Sequence, residues 1–200
     1  MSLKNEVVLT CLTKKKYKAY RSALSSVEMY CKKYDLDLEI LETPKYSPRN
    51  FYDKFYFYEL LKKYHRVLVL DSDVLITPTA PNIFEKYNKY ENFYALHINS
   101  EDGDFNEGVF IVSRTHMDRF KMFETHLLYT KKNLGLSNKT YLNKMVKHHN
   151  IEVTNIDKKF NYMCDDFTND KNRFKSFFIH YENAADKIDL ISSDFKKLYS

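Results

Sequence analysis

The first third of the chain alternates between strand-like and helix-like patterns of apolar residues. Residues 6–12 form a short run typical of a β-strand, and residues 16–34 then carry apolar side chains at helical spacing. Residues 36–40 alternate apolar and acidic positions, which predicts a second strand. A helix is expected from about residue 50 to 64. Residues 67–70 are apolar throughout, which favours a strand buried on both faces.

The rest of the chain continues the alternation. Residues 93–98, 108–112 and 174–179 read as strands, whereas residues 115–129 and 138–149 read as helices. A β-α-β-α-β order predicts a twisted, largely parallel sheet flanked by helices. In such an α/β fold, ligands bind beyond the carboxyl ends of the strands.

The length and composition limit the class of protein. A chain of 200 residues, 44% hydrophobic and 30% charged, is typical of one globular domain, so we expect a single domain over residues 1–200. The apolar runs are too short for a membrane-spanning helix. The first residues meet a charge before an apolar segment can form, which argues against a signal peptide and favours a cytoplasmic location.

Glycine and cysteine usage exclude several cofactor sites. With only three glycines, the chain cannot form a GxGxxG dinucleotide loop. Gly103 and Gly108 have the P-loop interval, but Val109 stands where that motif needs lysine. The three cysteines, Cys11, Cys31 and Cys164, are far apart and lack zinc-site spacing, so free thiols in a reducing compartment are expected.

The charge balance bears on nucleic-acid binding. The net charge is +5, and the chain holds 17 Tyr and 15 Phe, and a basic surface with stacking aromatics is typical of proteins that bind single-stranded nucleic acid. The lysines are scattered over the ends and polar faces of predicted helices, where solvation explains them. No nucleic-acid partner is therefore expected. A mild positive field also suits an anionic small molecule such as a nucleotide diphosphate.

Two aspartates directly after the buried strand are the strongest chemical signal. Asp71 and Asp73 are separated by one residue and stand at the expected carboxyl edge of the sheet. Carboxylate oxygens are the ligands that Mg²⁺ and Mn²⁺ prefer. An Asp-x-Asp sequence also occurs by chance. The metal-site interpretation therefore depends on the buried strand that precedes the two aspartates and on their expected position at the sheet edge.

Four ordered segments resemble a known family. The strand RVLVLDSDV at residues 66–74 is similar to the hydrophobic strand and DxD motif of GT-A glycosyltransferases. The segment FNEGVF at 105–110 resembles the FNxGV segment of the retaining family 8 group, which contains glycogenin and bacterial galactosyltransferases. FNYM at 160–163 resembles a later turn of that family, and FIHY at 178–181 resembles a strand that ends in a metal-binding histidine.

The resemblance implies a GT-A fold, a UDP-sugar donor, a saccharide acceptor, an Mn²⁺ or Mg²⁺ cofactor and retention of configuration. It implies that Asp71, Asp73 and His180 bind the metal. It further implies that uracil lies against Thr10, Leu12 and Tyr17, and that Lys54 reaches the donor. The full set of implied donor-binding residues is Thr10, Leu12, Tyr17, Lys54, Asp71, Ser72, Asp73, Asn106 and Gly108.

Two segments depart from the family pattern. The family has an Asp-Gln pair before a Leu-Asn at a helix start, and this chain has Asn138-Lys139 in that stretch. The HxxGxxK ending is also altered, because the segment after His180 lacks glycine and Lys187 comes one place late. Asp102 and Asp104 are therefore candidates for the carboxylate that accepts a proton or stabilises the reacting carbon, although turn-forming acids around Gly103 have the same appearance.

Two other functions remain open at this stage. Haloacid-dehalogenase-type phosphatases also use a strand followed by DxD, with Asp71 and Asp73 as nucleophile and acid, Ser113 as a second motif and residues 165–166 as a further acidic pair. About seventy residues precede the DxD, however, where that fold normally begins. The other alternative is an inactive nucleotide-sugar or nucleic-acid binding domain, which Asn138-Lys139 would favour.

Overall fold

The computed structural model describes residues 4–43, 45, 53–99, 103–121, 138–163, 169–182 and 184–200. The strands are β1 (Lys4–Cys11), β2 (Asp37–Leu41), β3 (Tyr64–Leu70), β4 (Val74–Ile76), β5 (Phe93–Asn99), β6 (Asp104–Ser113), β7 (Val153–Asn155) and β8 (Phe178–His180). The α-helices are α1 (Lys14–Tyr17), α2 (Arg21–Lys33), α3 (Phe57–Leu61), α4 (Ile83–Lys86), α5 (Asn138–His148) and α6 (Lys187–Tyr199). Short 3₁₀ helices cover Asp53–Tyr56, Arg114–His116, Lys158–Phe160 and Lys171–Lys175.

Six strands form one sheet in the order β2-β1-β3-β6-β5-β7. Strand β1 runs parallel to β2 and β3, and β5 runs parallel to β7. Strand β6 is antiparallel to both of its neighbours, so the sheet is mixed. Strands β4 and β8 form a separate antiparallel pair. The predicted α/β architecture is confirmed.

The central strand β3 is buried on both faces, as its unbroken apolar sequence predicts. Val67 and Val69 belong to one hydrophobic core, whereas Leu68 and Leu70 belong to the core on the other side of the sheet. All four are at most 1% exposed. This packing fixes the end of the strand, and with it the position of Asp71.

Several helix and strand boundaries differ from the prediction. The helix expected over 16–34 is divided into α1 and α2. Of the helix expected over 50–64, residues 50–52 lie outside the described residues, a 3₁₀ turn precedes the short α3, and Tyr64 already belongs to β3. The strand expected over 174–179 begins only at Phe178 and includes His180. The helix expected from 115 is a 3₁₀ turn followed by helical residues 117–121, beyond which the description stops.

Among the described residues, four strands and α-helices were not predicted, namely β4, α4, β7 and α6, and the 3₁₀ helices at Lys158–Phe160 and Lys171–Lys175 were not predicted either. Among them β4 matters most, because its pairing with β8 brings two distant parts of the chain together. Cys11 and Cys31 are free thiols, as predicted, and burial raises the pKa of both, that of Cys31 to about 12. Cys164 lies outside the described residues. Among the described helices, none is long and apolar enough to cross a membrane.

Candidate functional site

The pairing of β4 with β8 brings Asp71, Asp73 and His180 together. Val74 is opposite His180 in this pair, and the Tyr181 amide donates to the Asp73 carbonyl at 3.2 Å. On the other side, the Asp71 amide donates to the Gly108 carbonyl at 2.9 Å. One ligand atom from each of Asp71, Asp73 and His180 lies within 4.8 Å of the others.

The imidazole of His180 is oriented toward the two carboxylates. Its Nε2 lies 3.7 Å from Asp71 Oδ2 and 3.5 Å from Asp73 Oδ1. Its Nδ1 lies 3.1 Å from Asn161 Oδ1. The side-chain nitrogen of Asn161, Nδ2, donates to Asn106 Oδ1 at 2.9 Å. Asn161 therefore presents its oxygen to His180, which places the proton on Nδ1. Nε2 is buried, and none of the described residues forms a hydrogen bond with it.

This arrangement fits a divalent cation. Two carboxylates supply hard oxygen ligands, and the neutral imidazole supplies a nitrogen lone pair at Nε2. A second-shell hydrogen bond that fixes the tautomer, here from Nδ1 to Asn161, is typical of metal-binding histidines. Because Nε2 lies 3.7 Å from Asp71 Oδ2 and 3.5 Å from Asp73 Oδ1, a positive charge between these three groups is favoured.

Each carboxylate also contacts one lysine. Lys54 Nζ lies 2.6 Å from Asp71 Oδ1, and Lys187 Nζ lies 2.8 Å from Asp73 Oδ2. The second oxygen of each carboxylate faces His180. Burial raises the pKa of Asp73, but His180 and Lys187 outweigh it and hold that pKa below its ordinary value. Burial lowers the pKa of Lys54 and Lys187, but the aspartates outweigh it and the net shift is upward.

Residues 107–109 of β6 form a bulge beside the metal ligands. The β5 pairing passes from Ala95 opposite Phe110 to Leu96 opposite Asn106, which leaves residues 107–109 between the paired positions. Bulges of this kind redirect side chains next to functional sites. Here Asn106 turns toward the His180 side, where its Nδ2 donates to Glu182 Oε2 at 2.8 Å and its Oδ1 accepts from the Gly108 amide at 2.8 Å.

The other flank of Asp71 contains Glu107 and Asn143. Asn143 of α5 holds the backbone of Phe105 through both its oxygen and its nitrogen, and its Nδ2 also donates to Glu107 Oε1 at 3.1 Å. The Glu107 carbonyl accepts a bond from Lys54 Nζ at 2.9 Å. Burial raises the pKa of the Glu107 carboxyl to about 8, although Lys54 and Asn143 oppose the shift.

The predicted base-binding residues lie at the end of β1. Thr10 is opposite Leu70, directly before Asp71, so the end of β1 is adjacent to the metal ligands. Thr10 and Leu12 are buried, and Tyr17 of α1 is half-buried with its hydroxyl accepting a bond from Arg21. Ser72 is half-buried in the turn between the two aspartates. Their roles in binding a nucleotide stay predictions.

Asp104, one of the two acids predicted to take part in catalysis, has no contact with this cluster among the described residues. Asp104 begins β6 and pairs with Lys147 at 2.6 Å, with both side chains partly exposed. Asp102 and the acidic pair at 165–166 lie outside the described residues. The side chains of Asn138 and Lys139 are likewise not described, although their backbone begins α5.

The sequence alone did not indicate a role for four residues of the cluster, namely Glu107, Asn143, Asn161 and Glu182. Asn161 stands in the FNYM segment, but nothing in the sequence assigns it or Asn143 a partner. Glu107 did give a signal, because it is an acid within the otherwise apolar run that follows Asn106. Lys187 is one place late relative to the family ending, yet it reaches Asp73.

No protein-family model and no curated protein matches the sequence. Solved structures of glycosyltransferases do match the fold. A glycosyltransferase involved in glycosylation of the major capsid of PBCV-1 superposes with a TM-score of 0.71 at 14% identity, over 96% of this chain and 99% of that one. The galactosyltransferase LgtC gives 0.62 at 13% identity, over 97% of this chain and 96% of its own. GlyE of Streptococcus pneumoniae gives 0.59 at 13% identity, over 97% of this chain and 64% of that chain.

At 13–14% sequence identity, these matches show a shared fold and do not show a shared activity. The described residues form a single α/β domain with the GT-A fold, as predicted from the sequence.

Proposed function

We propose that this chain is a metal-dependent glycosyltransferase of the retaining family 8 type, with one catalytic domain over residues 1–200. It transfers a sugar from a nucleotide diphosphate sugar, most simply a UDP-sugar, to a saccharide-containing acceptor. The observation that carries the proposal is the orphaned Nε2 of His180 between Asp71 and Asp73, on a fold shared with glycosyltransferases.

In this proposal Asp71, Asp73 and His180 hold Mn²⁺ or Mg²⁺, and the imidazole ligand favours Mn²⁺. A cation bound there supplies Lewis-acid stabilisation of the negative charge that develops on the departing diphosphate. The histidine is positioned for this by Asn161 and by the close packing of its ring on Gly108.

Two lysines border the proposed diphosphate position. Lys187 is partly exposed and flexible enough to turn from Asp73 to a phosphate oxygen, whereas Lys54 is buried between Asp71 and the Glu107 carbonyl. Gly108 contacts Asp71 and His180, and Asn106 contacts Asn161 beside them, so both are the proposed contacts of the donor sugar. Thr10, Leu12 and Tyr17 are the proposed contacts of the base.

The acceptor hydroxyl attacks the anomeric carbon as the bond from that carbon to the diphosphate oxygen breaks, and the hydroxyl proton passes to an oxygen of the departing diphosphate. The electron pair of the broken bond stays on the diphosphate. Asp102 and Asp104 were the sequence candidates for the nearby carboxylate, but the contact of Asp104 with Lys147 gives it no support.

The fold argues against the phosphatase alternative. In this chain the DxD follows β3, which lies between β1 and β6 in the middle of a six-stranded mixed sheet. A haloacid-dehalogenase-type fold would instead begin with that strand. An inactive binding domain keeps the same fold and the same cluster, so only a measurement of turnover separates it from the enzyme.

Thermal unfolding with nucleotides and Mn²⁺ tests the proposal. UDP with Mn²⁺ should raise the melting temperature more than GDP or ADP with Mn²⁺, and EDTA should remove the shift. A ligand at about 100 times its Kd adds about 2.7 kcal/mol to the free energy of unfolding, which such a measurement detects readily. Equal shifts for the three nucleotides would reject the uridine assignment, and no shift with any of them would reject the nucleotide site.

Turnover is tested separately with a panel of UDP-sugars. Slow, Mn²⁺-dependent release of free sugar supports the enzyme and argues against an inactive domain. The variant Asp73→Asn serves as the matched negative control. Hydrolysis of a generic aryl phosphate by the parent, lost in the same variant, would restore the phosphatase interpretation.

A further inference from the structure

Asn106 and Asn161 form a hydrogen-bonded chain that ends on His180. The Gly108 amide donates to Asn106 Oδ1 at 2.8 Å, and Asn161 Nδ2 donates to the same oxygen at 2.9 Å. Asn161 Oδ1 in turn lies 3.1 Å from His180 Nδ1. Asn106, Asn161 and His180 are 5%, 0% and 1% exposed, so water has little access to these bonds.

The direction of this chain is set by a backbone group. A side-chain amide accepts through its oxygen and donates through its nitrogen, so either end of an asparagine could face a given neighbour. A backbone N–H only donates, and the Gly108 amide therefore requires the oxygen of Asn106. Asn106 Nδ2 points the other way, where it donates to Glu182 Oε2 at 2.8 Å. Asn106 is thus held at both ends in one orientation.

The orientation of Asn161 follows from that of Asn106. Its nitrogen donates to Asn106 Oδ1, so its oxygen faces His180 Nδ1. In the reversed orientation the Asn161 nitrogen would donate to Nδ1, and the imidazole proton would move to Nε2. Asp73 Oδ1 and Asp71 Oδ2 lie 3.5 and 3.7 Å from Nε2 and favour a proton there. A protonated Nε2 has no lone pair left for a cation.

We infer that Asn106 is a positioning residue, which sets the orientation of Asn161 and thereby keeps the proton of His180 on Nδ1. The inference rests on the proposed metal site, and it gives Asn106 a role besides the proposed contact with the donor sugar. The two roles are compatible, because Asn106 Nδ2 also donates to Met163 Sδ at 3.2 Å. A thioether sulfur is a weak acceptor, which a sugar hydroxyl can replace.

The tautomer of His180 is measured by ¹⁵N NMR of the metal-free protein with ring-labelled histidine. The spectrum is recorded in EDTA at a pH where this imidazole is neutral, and His180→Ala assigns its signals. In the parent the proton should be on Nδ1. Asn106→Leu resembles asparagine in shape but forms no hydrogen bonds, so Asn161 can reverse and the proton should move to Nε2. A parent with the proton on Nε2, or a variant with the same tautomer as the parent, would overturn the inference.

The affinity for Mn²⁺ measures the consequence at the proposed metal site. Calorimetry is done with saturating UDP, which lacks the sugar that Asn106 is proposed to contact. Asn106→Leu should weaken Mn²⁺ binding about tenfold, since changes to groups that orient a metal-binding histidine have effects of this size. Asn82→Leu is the matched control, because Asn82 is a buried asparagine whose side chain caps α4, and it should bind Mn²⁺ as the parent does. Equal affinities of Asn106→Leu and the parent would overturn the inference.

A change at position 161 tests whether the effect passes through Asn161. In Asn161→Asp the ionised carboxylate only accepts, so it holds the His180 proton on Nδ1 without help from Asn106. Adding Asn106→Leu in that background should therefore leave the Mn²⁺ affinity unchanged. A loss of about tenfold there would show that Asn106 acts by another route and would overturn the inference.

An exchanged pair decides the matter should Asn106→Leu fail to fold. Asn106→Asp combined with Glu182→Gln keeps an oxygen toward Gly108 and Asn161, and the new side-chain amide can donate to the second carboxylate oxygen. Because the acceptor at position 106 is kept, this pair should retain the Nδ1 tautomer and the Mn²⁺ affinity of the parent. Loss of either would overturn the inference.

The outcomes for the two proposals are distinguishable. If the parent binds no Mn²⁺ with UDP present, the proposed metal site fails, whatever tautomer the metal-free protein shows. If the parent binds Mn²⁺ and Asn106→Leu matches it in tautomer and in affinity, only the positioning role of Asn106 is rejected.

Discussion

The ring of His180 packs directly on the backbone of Gly108. A Cβ atom built on Gly108 would lie 2.0 Å from Cε1 and 2.5 Å from Nδ1 of the imidazole. Non-bonded atoms do not approach each other this closely. No side chain therefore fits at position 108 while His180 keeps its position. The glycine of the FNEGV segment is therefore required by close approach of a side chain to the backbone, and not by an unusual φ angle.

Gly108→Ala should consequently weaken metal binding although residue 108 is not a proposed ligand. The methyl group must displace the imidazole from Asp71 and Asp73, which we expect to reduce Mn²⁺-dependent UDP binding about tenfold or more. Gly103→Ala is the matched control, because a Cβ at Gly103 meets no atom within 4 Å. That control strains a backbone at φ +65° and should cost about 1 kcal/mol of stability while leaving binding intact. Calorimetric titration of both variants checks the difference, and normal binding by Gly108→Ala would contradict it.

Replacing the ligands themselves should give a graded loss. His180→Ala removes one neutral ligand and should weaken Mn²⁺-dependent UDP binding about tenfold to a hundredfold. Asp73→Asn should be more severe, since it removes a charged ligand and also the anion that Lys187 contacts at 2.8 Å. Titration with UDP and Mn²⁺ measures both.

Asp35→Asn provides an acid-to-amide control at an exposed position, where φ is +52° and asparagine is well tolerated. It should bind as the parent does. The three-ligand site is wrong if His180→Ala binds as tightly as the parent, and the graded expectation is wrong if Asp73→Asn is the milder of the two.

The part of the site that the sequence predicts is the part made by a long, buried strand. Val67 to Leu70 are apolar without interruption because both faces of β3 are covered, and a carboxylate that follows such a strand must lie at the sheet edge. The position of Asp71 follows from local pattern alone. His180 does not, because β4 and β8 each contain three residues and their pairing leaves no periodic signal. The family resemblance connected His180 with the aspartates. The expectation that His180 ends a strand of the same sheet as Asp71 is wrong, because β8 pairs with β4 outside the six-stranded sheet.

The sequence failed to predict these elements for different physical reasons. Strand β7 has three residues at the edge of the sheet and none of them is buried, so it lacks an apolar alternation. The division between α1 and α2 occurs without proline or glycine and therefore without a local signal. Helix α6 was predictable, since its apolar residues recur at helical intervals and Ile191 is fully buried. The Glu107 charge was visible in the sequence, but its neighbours Lys54 and Asn143 come from distant segments.

A buried ion pair fixes the C-terminal helix behind His180. Arg173 forms two bonds with Asp194, from Nε at 2.6 Å and from one terminal nitrogen at 3.0 Å, and the Tyr181 hydroxyl donates to Asp194 at 2.7 Å. Asp194 is 0% exposed. Asp194→Asn should lower the free energy of unfolding by about 3 kcal/mol, because it removes the charge that balances a buried guanidinium.

Urea unfolding measures this loss. The control is Asp189→Asn, since Asp189 lies on the same helix at an exposed position. This substitution should change the free energy of unfolding by no more than about 0.5 kcal/mol. Similar unfolding midpoints for the two variants would show that the ion pair contributes little. Asp194 accepts a hydrogen bond from Tyr181, which directly follows the metal ligand His180. Asp194→Asn should therefore also weaken Mn²⁺ binding at urea concentrations where the domain is still folded.

The buried carboxyl of Glu107 should make the stability of the metal-free protein fall as the pH rises. Burial raises its pKa from 4.5 to about 8, with Lys54 and Asn143 opposing the shift. Between these two values the unfolded chain has lost the proton that the folded protein keeps, so the folded state binds more protons. The contribution of Glu107 is therefore fully present below about pH 4.5 and is lost as the pH rises to about 8.

The comparison of the parent with Glu107→Gln isolates this effect, because glutamine does not titrate. The free energy of unfolding of the parent, relative to that variant, should decline between pH 5 and 8 by up to about 1.4 kcal/mol per pH unit and then level off. Urea unfolding in EDTA at pH 5.5, 7.0 and 8.5 measures the decline. Glu152→Gln, at an exposed position, is the control and should not reproduce this decline. Parallel profiles for the parent and Glu107→Gln would show that Glu107 keeps an ordinary pKa, and a rising difference would mean that Lys54 outweighs its burial.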